Sequence, residues 1–525
     1  MNALLVLYGG ELCDEAFATV FNGKNSFSLA LERSKSFPGV GKIILLADQN
    51  RDFSGFSEIQ VERQDSWTKF SLLKTISELS QGFDFVYYAW TDCPFLDPAL
   101  AGAIARRHVD YAADYSYADG WPLGIAPEII SPQTSGILAN ILGSDDGKVG
   151  RDTLFSVIQK DINAFDIETE ISPVDLRCHR ISLCADSRRN LLLLNRFASE
   201  AGAIPDAAQV QRIIEEKPEV LRTLPAFFPV QVYGGCPQSC ALCPYPVVSK
   251  EPVTGRKDHM DGKKFELLLD KIIAFSGDAV IDLSLWGELS LHPDKMDLID
   301  MVISRPELAL IIETSGIGWK SEELEKCASL AQKAEAAGAR KSRLPPLSWI
   351  LSLDAFDPVR YKEMRGQGFA EAIDCAKKLF ALLPKNTYVQ AVRTAGAEDD
   401  IEKFYRSWKE AAPMGDANII VQKYDDFCGF LDKKQASDIS PVIRKPCWHI
   451  MRDMPVLIDG TVPLCREELE ALKEHGGEGS RTLGNVFTDS LEKIWEAGLC
   501  FYIEQCGKNY SGFCTACDEY YTYNF

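Results

Sequence analysis

The sequence predicts an α/β protein in three parts, and three observations predict it. Short apolar runs at residues 3–8, 42–47 and 84–90 alternate with helical stretches across residues 1–203. A second alternation of strands and helices runs over residues 229–435. A cysteine-rich stretch with turn signals then fills residues 436–525. Apolar runs that alternate with helical periods are the signature of a parallel sheet covered by helices, so the first two parts are read as parallel α/β units. Residues 204–228, polar and helical in pattern up to Pro225, are read as the linker between them. A chain of 525 residues exceeds one ordinary hydrophobic core and fits about two to four domains.

Composition excludes several classes. With 46% hydrophobic and 25% charged residues the chain has the make-up of a globular protein, and it carries no apolar run long enough to span a bilayer. The first ten residues hold no basic group and read as a strand, not a signal peptide. A net charge of -20 argues against nucleic acid as a partner, because phosphate binding relies on Lys and Arg. Sixteen cysteines without an export signal point to a reducing compartment, the cytoplasm, and to metal ligation over disulfides.

The most specific motif is the C-x3-C-x2-C run of Cys236, Cys240 and Cys243, preceded by Gly234 and Gly235. A short loop containing Gly and Pro can wrap one cubane of four irons only if its thiolates converge within a few residues. Three cysteines leave one iron open. A zinc knuckle is the competing reading, but zinc wants a fourth nearby Cys or His and none follows closely.

Downstream, each predicted strand end carries polar or glycine-rich residues, where the active-site groups of (β/α) barrels lie. They are Trp286, Gly287 and Glu288; Thr314, Ser315 and Gly316; Ser352 and Asp354; Gln390 and Arg393; and Lys423, Asp425 and Cys428. In this order, after the cysteine loop, they resemble the radical S-adenosylmethionine (SAM) superfamily. The resemblance implies a partial (β/α)6 barrel and a 4Fe-4S cluster held by Cys236, Cys240 and Cys243, whose open iron binds SAM. Gly287 and Glu288 would take the amino group of SAM, and Thr314 and Ser352 would bind its remainder. Leu242 would pack on the adenine, at a position usually aromatic in the family. Asp354 would accept a substrate proton, or else cap the helix starting near Pro358. Arg393 would neutralise the SAM carboxylate, or else form a surface ion pair. Trp286 stands where the family has its first glycine and Leu289 where it has proline.

The tail runs Cys447, Asp459, Gly460, Cys465, Leu483, Gly484, Asn485, Trp495, Cys514, Cys517. This order is similar to that of SPASM and shortened SPASM (twitch) domains. It implies one auxiliary 4Fe-4S cluster on Cys447, Cys465, Cys514 and Cys517, used in electron transfer. A four-cysteine zinc site is the alternative. Cys500 and Cys506 are read as buried free thiols, with spare cluster ligands as the alternative, and Cys13, Cys93, Cys178, Cys184, Cys327 and Cys375 as core packing. Cys428, at a strand end, is the exception.

In residues 1–203, Asp92 after a central strand, the segments around Asp114 and Gly124, and the late Asp186 resemble cytidylyltransferase-type nucleotidyltransferases. In that family the two aspartates hold Mg2+. Residues 9–23, however, contain no Lys or Arg where the family's phosphate loop is basic, and only Asn22, Gly23 and Lys24 resemble its end. Loss of nucleotidyl transfer is the expectation.

The three parts together resemble spiro-SPASM proteins. That implies a radical SAM enzyme of oxidoreductase type that abstracts a hydrogen atom from a sugar or sugar-linked substrate, with a flavodoxin or ferredoxin as electron donor. A peptide-modifying SPASM maturase and a nucleotidyltransferase with structural metal sites are the alternatives.

Overall fold

The computed structural model describes residues 1–49, 59–143, 147–249, 252–338, 340–342, 344–437, 440–472 and 480–522. They divide into two compact units, Met1–Thr223 and Leu224–Phe525.

In the first unit the apolar run Ala3–Gly9 forms β1, buried along its whole length, as a central strand covered on both faces must be. A short hairpin follows, β2 (Thr19–Phe21) and β3 (Lys24–Asn25). Its two-residue turn is Asn22 and Gly23, both with positive φ, the conformation that Asn-Gly pairs favour in tight hairpins. Then come β4 (Val40–Asp48), β5 (Gln60–Gln64), β6 (Phe85–Trp90), β7 (Tyr115–Asp119), β8 (Glu128–Ile130) and β9 (Ile167–Ile171). Apart from the hairpin they form one sheet in the order β5-β4-β1-β6-β8-β7-β9. The expected parallel sheet is therefore mixed: β8 runs antiparallel to both β6 and β7. The helix Ala207–Glu216, within the stretch read as a linker, belongs to this unit. Asp97, which caps the helix Pro98–Asp110, also accepts the Ala207 N–H (2.7 Å), and Val210 and Ile214 are buried.

The second unit is built on six parallel strands in chain order, β10 (Phe227–Pro229), β11 (Ala279–Asp282), β12 (Leu308–Thr314), β13 (Leu347–Ser352), β14 (Thr387–Arg393) and β15 (Ile419–Lys423). With helices between successive strands this is an open half-barrel, and all strand C-termini lie at one end. The first strand ends earlier than the apolar run suggests. Val230 and Phe227 bridge to Val456 and Asp453, so a C-terminal segment lies along this edge. The tail adds a two-stranded antiparallel ladder, β16 (Thr461–Pro463) with β17 (Thr482–Asn485), after a tight turn at Asp459 and Gly460. Gly460 has φ 89°, and a Cβ there would lie 2.3 Å from the Phe487 ring. Among the described residues no helix is long and apolar enough to cross a membrane.

Candidate active site

The cysteine loop leaves the end of the first barrel strand and is pinned from several sides. Cys236 N–H donates to the Val253 carbonyl (3.0 Å) and Ala241 N–H to the Met364 carbonyl (2.9 Å). Gly235 and Gly287 allow backbones to meet where no side chain fits. A Cβ on Gly235 would be 2.4 Å from the Arg256 carbonyl oxygen, and one on Gly287 would be 1.8 Å from that of Tyr233. Glu288 N–H donates to the Gly235 carbonyl (2.9 Å), so the second strand end is laced directly to the loop. Trp286 takes the left-handed conformation (φ 49°), which glycine adopts most readily. Its ring packs on Tyr245 and Phe427, contacts that offset the backbone strain.

Cys236, Cys240 and Cys243 interact with one another and line one cavity of about 350 Å³. Burial pushes the Cys236 and Cys243 thiols up to about 12 and raises Cys240 as well, so without a partner cation the site favours the protonated thiols. Leu242, Gly287, Glu288, Thr314, Ser352 and Asp354 line the same cavity. Glu288 accepts from Thr314 Oγ1 (2.6 Å) and from Ser315 N and Oγ (2.8 and 2.7 Å). Ser352 Oγ donates to Glu313 Oε1 (2.5 Å), which also receives Gln390 Nε2 (2.8 Å). Burial pushes Asp282, at the end of β11, up to about 7.

Two expected roles change. Arg393 is exposed and outside the cavity lining. Side chains alternate along a strand, and on β14 it is Gln390 and Val392 that face the cavity. Two other arginines line it, Arg466 and, from the last turn of the helix Pro358–Arg365, Arg365. Asp354 is fully engaged: its Oδ2 accepts from Arg365 Nη1 (2.6 Å) and its Oδ1 from Val392 N (2.9 Å). Each of its oxygens is held by one of these donors, and the helix is capped by Asp357 instead. Arg365 also reaches Gln238 Oε1 (3.3 Å), and Gln238 Nε2 bonds Tyr361 Oη and the Gln367 carbonyl (both 3.0 Å). The loop between Cys236 and Cys240 is thus tied to Asp354 through Arg365. A residue in a helix's last turn carries no sequence signal for such a role.

A second set of thiols gathers in the tail. Cys447, Cys465 and Cys514 are buried, Cys517 is half-buried, and all four interact electrostatically. Cys428 joins them: it contacts Cys517, which raises its own thiol and lowers that of Cys517. Phe427 and Cys428 both have positive φ, so the turn after β15 is held in a sparsely populated conformation to present this thiol. Cys506 is half-buried, whereas Cys500, expected inside, is exposed. The wall beside these thiols is an ion-pair network. Lys423 pairs with Asp518 (3.0 Å) and Glu519, and Arg466 with Glu467 (3.0 Å), Glu519 (3.5 Å) and Asp425 (3.7 Å). Lys423, Asp425 and Arg466 also line the large cavity.

In the first unit Asp92 and Asp186 do come together, but Arg151 lies between them, at 2.5 Å from Asp92 Oδ2 and 3.0 Å from Asp186 Oδ2. The pair as it stands does not fit a magnesium ion. Cys93 and Cys184 lie beside it with sulfurs 3.6 Å apart.

No family model matches the chain. A Bacillus subtilis (strain 168) protein, "Spore coat polysaccharide biosynthesis protein SpsF", is 24% identical over 130 residues, 24% of this chain and 53% of that protein. Among solved structures, Streptococcus suis SuiB bound to precursor peptide SuiA aligns with TM-score 0.40 and 14% identity, over 68% of this chain and 80% of that one. A Treponema pallidum (strain Nichols) protein described as "Uncharacterized protein" is 33% identical over 380 residues, 71% of this chain and 98% of its own length. With that identity over nearly the whole relative, the chain belongs to the same family as this T. pallidum protein.

Proposed function

We propose that the chain is a radical SAM enzyme that abstracts a hydrogen atom from a sugar or sugar-linked substrate, with a second 4Fe-4S centre for electron transfer. The observation that carries the reading is the convergence of Cys236, Cys240 and Cys243 on one cavity at the C-terminal end of a parallel half-barrel, with Glu288, Thr314 and Ser352 facing it. The three thiolates would hold a cluster that, when bound, supplies the electron that splits SAM into methionine and the 5'-deoxyadenosyl radical that takes the hydrogen atom.

The chain's own residues do the positioning. Gly287 lets the second strand end close onto the cysteine loop, and Glu288, fixed by Thr314 and Ser315, puts a carboxylate where a SAM amino group would be received. Arg365, Lys423 and Arg466, not Arg393, are the cations on the cavity wall. For the substrate, Asp282, Glu313, Gln390, Gln422 and Asp425 offer acceptors around the same cavity. Gln390 is 3% exposed and its Oε1 has no partner, an acceptor that a substrate hydroxyl would satisfy. The sequence similarity to SpsF supports a carbohydrate over a peptide. Cys447, Cys465, Cys514 and Cys517 supply four thiolates, enough to saturate a second cluster and leave substrate no iron to bind there.

The test is anaerobic reconstitution with iron and sulfide, reduction, and addition of SAM. About eight irons per chain are expected, together with methionine and 5'-deoxyadenosine. Cys240→Ala should abolish SAM cleavage and lose about four irons; Cys514→Ala should lose about four irons and still cleave SAM. Zinc in place of iron, or no cleavage by the reduced wild type, would refute the proposal.

A further inference from the structure

We propose that Arg151 is a built-in counter-cation of the first unit, occupying the place between Asp92 and Asp186 that a divalent cation would need, so that this unit does not operate as a metal-dependent nucleotidyltransferase. All four carboxylate oxygens are in use. Asp92 Oδ1 and Oδ2 accept from Arg151 Nη1 (3.1 Å) and Nη2 (2.5 Å). Asp186 Oδ2 accepts from the same Nη2 (3.0 Å), and Asp186 Oδ1 from Asn190 Nδ2 (2.7 Å).

The guanidinium is held, not passing through. Its carbon lies 4.5 Å from the centre of the Trp90 ring, and its side chain is 13% exposed over carboxylates that are 2% and 9% exposed. Arginine does not deprotonate, and its planar fork matches one carboxylate with two parallel hydrogen bonds. An ion entering here would have to displace a fixed positive charge from a site of low dielectric. Magnesium also binds through carboxylates whose oxygens are free, with water completing its shell. Neither condition is met.

A second, independent observation agrees. The segment between β1 and the first helix, Ser26–Ser34, holds Lys24 as its single Lys or Arg. Glu11, Asp14 and Glu15 lie in it, Asn22 and Gly23 form a hairpin turn, and Lys24 is paired with Glu32 (2.5 Å). A unit that has lost the phosphate grip and filled its metal position with its own arginine has exchanged a catalytic centre for a structural ion pair.

The experiment is a titration of the reconstituted full chain with Mn2+ alone and with Mn2+ plus cytidine triphosphate, read by the EPR signal of free Mn2+. Wild type should take up no Mn2+ that Asp92→Asn abolishes. Arg151→Ala should gain one site per chain, binding at least about a hundredfold tighter than wild type, and Arg151→Ala/Asp186→Asn should lose it again. Arg151→Gln, which keeps the stem over Trp90, replaces the alanine variant if near-UV circular dichroism shows the latter unfolded. The proposal is overturned by one Mn2+ per wild-type chain that Asp92→Asn removes, or by folded Arg151 variants that gain no site. It is also overturned by pyrophosphate release from cytidine triphosphate and a sugar acid by the wild type.

Discussion

Replacing Arg365 with methionine tests whether the wall of the large cavity is built as described. The substitution keeps an unbranched stem of similar reach and removes one charge. Asp354 is 3% exposed and has φ 60°, so its carboxylate can neither reach water nor relax the backbone easily. Its Oδ1 keeps the Val392 N–H at 2.9 Å, but Oδ2 loses its 2.6 Å partner. Breaking a buried pair from one side costs about 3–5 kcal/mol, because the remaining charge is left uncompensated. At about 2 °C per kcal/mol for a unit of this size, the calorimetric transition of the second unit should fall by about 6–10 °C, with the first unit unmoved. Gln238 loses a donor as well, so the loop between Cys236 and Cys240 loosens. The EPR spectrum of the reduced reconstituted protein should broaden and shift less on addition of SAM. Asp354→Asn added to Arg365→Met should recover much of the lost stability, since no buried charge then remains unpaired. A Tm for Arg365→Met within 1 °C or so of wild type, or a double variant no better than the single one, would refute the reasoning.

Gly287→Ala is expected to abolish SAM cleavage while leaving the tail's irons in place, because its Cβ would fall 1.8 Å from a backbone oxygen that cannot move aside; iron analysis with 5'-deoxyadenosine assay checks it. His108 gives the first unit a pH dependence. Burial, opposed by the nearby Asp114 charge, lowers it from 6.5 to about 4, and its Nδ1 lies 2.9 Å from Ser116 Oγ. Between those two pH values the unfolded chain binds a proton that the folded unit refuses. Stability is therefore whole above pH 6.5 and lost as pH falls toward 4, by up to about 3 kcal/mol. Denaturant unfolding at pH 7 and pH 4.5 should show a smaller difference for His108→Gln than for wild type, and equal differences would count against the assignment.

What could be read in advance follows from the range of the forces involved. The order of strands, the cysteine loop and the residues at strand ends are local. Hydrophobic period marks β1, β6 and β12, and a strand's C-terminal end in a parallel barrel faces the site wherever the strand sits. Glu288, Thr314 and Ser352 were therefore legible, and the structure places all three on one cavity. Arg393 failed by one residue, because a period of two turns a side chain to the opposite face and no apolar pattern fixes the phase at a polar strand end. The antiparallel strand β8 failed for a related reason: its three residues are too few to carry direction, and only pairing with β6 and β7 reveals it. The charged pairs were hidden altogether. Arg151 finds Asp92 across 59 positions, and Arg466 meets Asp425 and Glu519 from three separate segments. Ion pairs have no period, so a sequence shows their members only as ordinary polar residues.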